Sequence, residues 1–243
     1  MMERFSEGEL VIGVYDRAGQ GPEEIAQMMD SILATIDHNL GVEDYTPWAV
    51  PLGHSWHGDL AHKIKVVQSV PRELDEGARA DTGYSVAVAG EVQGHQVYVR
   101  LEAGAPFVGR RVPLVRVSVS IERPGVGVDQ SLVTVVLGSI AICSDPMMVT
   151  SVPLKLIRMG DDKVDQLWHH WWTPLSDRVW LSSRILELDT HHPQVRPMAM
   201  GSGFLLQTDY TPDQDSVAQA GALPHLGGLY ETLQHYNLLE LPH

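Results

Sequence analysis

The pattern that most constrains this chain lies in residues 114–121. Leu114, Arg116, Ser118 and Ser120 alternate there with Val115, Val117, Val119 and Ile121. Successive side chains of a strand point to opposite faces, so this period of two commits the stretch to a sheet with one apolar and one wet side. Residues 84–103 add a hairpin, because two alternating arms meet at Gln93 and Gly94, where glycine supports a tight turn. Residues 9–15, a short apolar run between Gly8 and Asp16, read as another strand, as do residues 131–142 and 148–157.

Helices must cover such a sheet. Gly21, Pro22, Glu23 and Glu24 form a helix start, with proline in the first turn and two carboxylates at the positive end of the dipole. Ile25, Met28, Met29, Ile32, Leu33, Ile36 and Leu40 then recur at steps of three and four up to Gly41. Thr211, Pro212 and Asp213 open a later helix, and Leu229, Tyr230, Leu233 and Tyr236 mark an amphipathic turn near the end. The expected fold class is α+β, a mainly antiparallel or mixed sheet with amphipathic helices packed on it. With 243 residues, 44% of them hydrophobic, the chain can build a sizeable core. No internal repeat or long linker divides it, so residues 1–243 are read as a single domain.

The tryptophans mark a joint. Residues 160–183 hold Trp168, Trp171, Trp172 and Trp180, four of the six in the chain. Val164, Leu167, Trp168 and Trp171 follow helical spacing from a start at Asp161 and Asp162, and Pro174 ends the run. Residues 179–188 are rich in branched and apolar side chains and read as a strand entering the same core. His169 and His170 are adjacent, hence about 100° apart on a helix, and no partner four residues away completes a metal pair. The joint reads as a packing nucleus.

Other candidate chemistry fails on spacing. Residues 47–59 form an expected loop carrying Trp48, Trp56, His54 and His57, with His62 beyond it. No nearby Asp, Glu or Cys gives the three histidines a recognised ligand pattern. Gly201, Ser202 and Gly203 precede a strand over residues 204–208 and open no helix, so they are not read as a phosphate loop. Residues 72–81 read as a solvated helix end and loop. Cys143 sits in an apolar run as a small hydrophobe, and as the single cysteine it rules out an internal disulfide. There is no His-Glu-x-x-His, Cys-x-x-Cys, Gly-x-Ser-x-Gly or P-loop. The sequence gives no positive sign of an enzyme, and no catalytic, cofactor or metal residue is assigned.

Charge narrows the partners. Thirty-one acids against 17 bases give a formal charge of −14, which repels phosphate backbones and disfavours direct nucleic-acid binding. The same charge suits docking onto a basic surface, and it also serves solubility. No apolar run approaches the roughly 20 residues that span a bilayer, and the N-terminus lacks the order of a signal peptide, so a cytoplasmic protein without membrane contact is expected.

These residues carry a resemblance. An N-terminal strand leading into Tyr15, Asp16 and Arg17, the amphipathic helix over residues 23–40 and Trp48 soon after resemble the immunity protein 52 family of bacterial toxin systems. Trp171, Trp172, Thr173 and Pro174, then Val179 to Ser183, are similar to its later Trp, Pro and hydrophobic-Ser sequence, and residues 203–209 to its closing strand. Residues 70–111 follow the family only loosely. The resemblance implies a cytoplasmic α+β antitoxin that binds and neutralises a cognate toxin. Such toxins are often restriction-endonuclease-like nucleases delivered by a system such as type VI secretion.

The family pattern supplies no contact residues, so charge nominates them. Asp161, Asp162 and Asp165 start the joint helix, with Trp172 off its apolar stripe as an aromatic anchor. Glu73, Asp75, Glu76 and Asp81 form a second acidic patch. The plain alternative is that the first set caps the helix and Trp172 is core. Two other functions stand beside the antitoxin: a metal-dependent hydrolase whose carboxylates gather only in the fold, and an effector chaperone or adaptor.

Overall fold

The computed structural model describes residues 8–15, 20–39, 48–50, 54–69, 83–104, 115–154, 178–184 and 195–208. In chain order the elements are β1 (Gly8–Tyr15), α1 (Pro22–Asn39), β2 (Ala49–Val50), β3 (His54–Ser55), α2 (Leu60–Ser69), β4 (Tyr84–Val92) and β5 (His95–Ala103). They continue with β6 (Val115–Glu122), α3 (Gln130–Ser144), β7 (Met148–Pro153), β8 (Arg178–Ser182), β9 (Val195–Met200) and β10 (Gly203–Thr208). The fold is α+β. The strands form one sheet in the order β3-β2-β4-β5-β6-β1-β7-β8-β10-β9, antiparallel at every pairing. The first strand in sequence thus lies inside the sheet, between β6 and β7.

Local chemistry explains the elements anticipated from sequence. At the start of α1 the Glu24 carboxylate accepts from the Gly21 N–H at 2.9 Å, satisfying a donor that the first turn leaves unpaired. The helix buries Ile25, Met29, Ile32, Leu33 and Ile36, the face its periodicity marked. The β4–β5 hairpin turns through Gln93 and Gly94, both at positive φ (50° and 74°), a type I′ turn matched to the twist of its strands. In β6, Val115, Val117, Val119 and Ile121 are fully buried, while Arg116, Ser118, Ser120 and Glu122 stay half-exposed.

Residues 131–142 are a helix and not the strand expected above. Asp129 caps α3, accepting from the Ser131 N–H at 2.8 Å and the Ser131 hydroxyl at 2.7 Å, and Asp145 ends it in the left-handed conformation. Its buried apolar side chains, Leu132, Val133, Val136, Leu137, Ile140 and Ala141, fall at helical spacing. Apolar side chains on the flanks hide that spacing in the sequence, so composition alone resembles a buried strand.

Smaller differences have similar causes. Two short strands, β2 and β3, cross the expected loop of residues 47–59, and α2 follows, capped by Asp59, whose carboxylate accepts from the His62 N–H at 2.8 Å. β7 stops at Pro153 and β8 at Ser182, where residues 183–184 turn. Gly201 and Ser202 form the turn of a β9–β10 hairpin, and β9 itself carries no alternation to announce it. A side chain on Gly203 would run into the Leu181 carbonyl and the Trp180 ring, so glycine is required there. Both sheet edges are blunted, one by the brevity of β3 and the other by Pro197 within β9. The helices expected from Asp161 and Thr211, and the aromatic corner with Trp168, Trp171 and Trp172, lie outside the described residues.

The three described helices cover one face of the sheet. Ile140 of α3 closes over Gly13, where an added Cβ would come within 2.8 Å of it. Val11, Tyr15, Val97, Val99, Leu101, the β6 valines and Trp180 pack with α1, α2 and α3 in one core. Trp48 and Trp56 belong to it, and each gives its indole N–H to a carboxylate of α1: Trp48 to Asp37 at 3.3 Å, Trp56 to Asp30 at 2.8 Å. Lys63 of α2 donates to both Asp30 oxygens at 2.7 Å and lies 5.8 Å from the Trp56 ring centre. This cluster ties α1, α2 and the two tryptophans into one unit.

Candidate functional site

The second face of the sheet is split. Register places Ile12, Val14, Val152, Val179, Leu181 and Leu206 on it, and all are buried. Across β4, β5 and β6 the same face carries Ser85, Glu91, Gln96, Tyr98, Arg100, Glu102, Arg116, Ser118, Ser120 and Glu122. Tyr98 is 39% exposed, one of four large apolar or aromatic side chains so exposed among the described residues. An aromatic ring on a rigid strand loses little freedom on binding, which is why such rings recur as interface anchors.

The surrounding groups fall into two ends. Arg100 faces Ala87 and Ser118 across the ladder. Its Nε donates to the Ser85 hydroxyl at 3.0 Å and its guanidinium lies 3.4 Å from Glu102, so this cation is already engaged. At the other end Gln96 stands between Glu91 and Glu122. The Ser120 hydroxyl donates to Glu122 at 3.2 Å. Tyr98 lies between the two ends, facing Ala89 and Ser120.

The contact residues nominated from sequence are not the ones described. Asp161, Asp162, Asp165 and Trp172, and Glu73, Asp75, Glu76 and Asp81, all lie outside the described residues. Of the histidines, His62 donates through Nε2 to the Ser55 carbonyl at 2.9 Å, and the His57 N–H donates to the Ser55 hydroxyl at 3.0 Å. Among the described residues no three His, Cys, Asp or Glu side chains converge as metal ligands would. Cys143 is half-buried, and burial pushes its thiol pKa up against a weaker opposing pull from Thr35, which disfavours the nucleophilic thiolate. Among the described residues no helix is long and apolar enough to cross a membrane.

Sequence reading passed over Tyr98 and Arg100. The signal was present, since the arm from His95 to Ala103 places Gln96, Tyr98, Arg100 and Glu102 at one parity. That alternation marks the face as wet but does not say that an aromatic ring stands open on it. Searches found no protein-family model and no curated protein that matches this chain.

Proposed function

We propose that this protein is an antitoxin that binds and neutralises a cognate secreted toxin, a nuclease effector of a type VI secretion system, by protein–protein contact. The observation that carries the reading is the open face of β4–β6: polar, rigidly paired on both sides, with Tyr98 standing from it. The formal charge of −14 supports it, because a nuclease needs basic residues to hold its substrate and an acidic inhibitor is steered toward them. The resemblance to immunity protein 52 supports it independently, through the strand and helix that lead to Trp48 and the sequence around Trp180.

Co-expression tests it. The gene beside this one, expressed alone, is expected to kill its host; adding this chain restores growth, and the two proteins co-purify. A harmless neighbour, or killing that persists when this chain is present and folded, sinks the reading.

A further inference from the structure

The open sheet face has a direction, and it points to the chemistry of the partner. One end groups Arg100 and Arg116 around Glu102, so it carries no excess of negative charge. The opposite end carries two carboxylates, Glu91 and Glu122, on either side of Gln96. With strands about 4.8 Å apart, their backbones stand roughly 10 Å from each other. Tyr98 is the next residue on this face along β5, about 7 Å from Gln96 by strand rise. An open aromatic ring with two carboxylates one row along the same face is a receptor for a basic surface, since the ring face attracts Lys or Arg and the carboxylates pair with neighbouring cations.

Resting on the antitoxin reading, we propose that the toxin docks on the face of β4–β6. A lysine or arginine of the toxin lies against Tyr98, and its basic surface meets Glu91 and Glu122. Charge complementarity selects this occupant. A chain of net charge −14 repels a second copy of itself and any acidic partner, and attracts a basic one over a Debye length of about 8 Å at physiological salt. The engaged Arg100 keeps the two ends distinct, because its charge is held at the Glu102 end and does not neutralise the carboxylates around Gln96.

The test measures binding kinetics between this chain and the product of the adjacent gene in a catalytically inactivated form. Four proteins are compared: wild type, Tyr98→Ala, Glu91→Lys, and Met198→Lys as a control on β9, at the far edge of the sheet. All three substituted positions are exposed, and a thermal melt confirms that each variant folds. Tyr98→Ala is expected to weaken binding at least about tenfold, mainly through faster dissociation. Glu91→Lys slows association and flattens its salt dependence, whereas Met198→Lys does neither. If wild type rescues growth and binds, while Tyr98→Ala and Glu91→Lys bind within about twofold of it, the docking face is wrong and the antitoxin reading survives. If wild type neither rescues nor binds, both fall together.

Discussion

Ser118 and Ile12 are cross-strand neighbours on the same face of one sheet, yet Ser118 is half-exposed and Ile12 fully buried. The boundary between the wet and dry halves runs along that single strand step, from β6 to β1. Backbone geometry is continuous across it. What differs is the pattern within each strand: β5 and β6 alternate buried and open positions, whereas β1 is buried continuously from Val11 to Tyr15. An alternating strand has one face to hide; a continuous apolar run has two.

Substitutions along one row of this face test the contrast most directly. Ile12→Ala is expected to destabilise the protein by about 2–5 kcal/mol, since it removes a side chain with no exposed surface. Urea denaturation would measure it, and a cost no larger than a surface change would mean that the dry half is not packed.

The next residue in that row, Thr150, is a polar exception within the dry half: it is buried, and its hydroxyl has no hydrogen-bond partner among the described residues. Thr150→Val keeps the shape and the branching at Cβ, so it should stabilise by about 1 kcal/mol. A loss of stability in the same titration would show that the hydroxyl is satisfied after all.

Crossing to the wet half, Ser118→Ala should change stability by less than about 0.5 kcal/mol. A large effect there would erase the distinction between the halves.

A pH-dependent effect comes from the helical side, where α3 lies over β1, β6 and β7. Hydrogen bonds from Ser131 hold the Asp129 carboxyl below its ordinary pKa, helped by the nearby charges of His95 and Arg123. A pKa lower in the folded state than the unfolded value near 3.9 means that the ionised cap stabilises the fold above that value. The stabilisation is lost as pH falls through the folded pKa. Asp129→Ala should therefore be less stable than wild type at neutral pH, with the gap narrowing in acid. Thermal melts across pH 2 to about 7 would show a constant gap if the charge plays no part.

Much of the fold was legible because short-range rules decided it. Positive φ at Gln93 and Gly94 follows from the hairpin turn, and Gly21, Pro22 and Glu24 begin a helix whatever lies around them. The site was less legible. Acid clusters stand out in a sequence, so Asp161 and Glu73 drew notice, while Tyr98 is one tyrosine of seven until register shows which residues share its face. Likewise, the carboxylates holding Trp48 and Trp56 lie 11 and 26 positions away, a spacing no local rule announces.

Sequence by itself determined the alternating strands, the β4–β5 hairpin, the apolar stripe of α1 and the acidic charge. Each depends on sterics, periodicity or composition within a few residues. Only the tertiary structure decided that residues 131–142 are helical, that β1 lies inside the sheet, and that the second face is dry on one side of β1 and open on the other. Those outcomes depend on which distant surfaces meet: α3 is settled by the core it fills, and β1 by the two partners that take up its backbone hydrogen bonds.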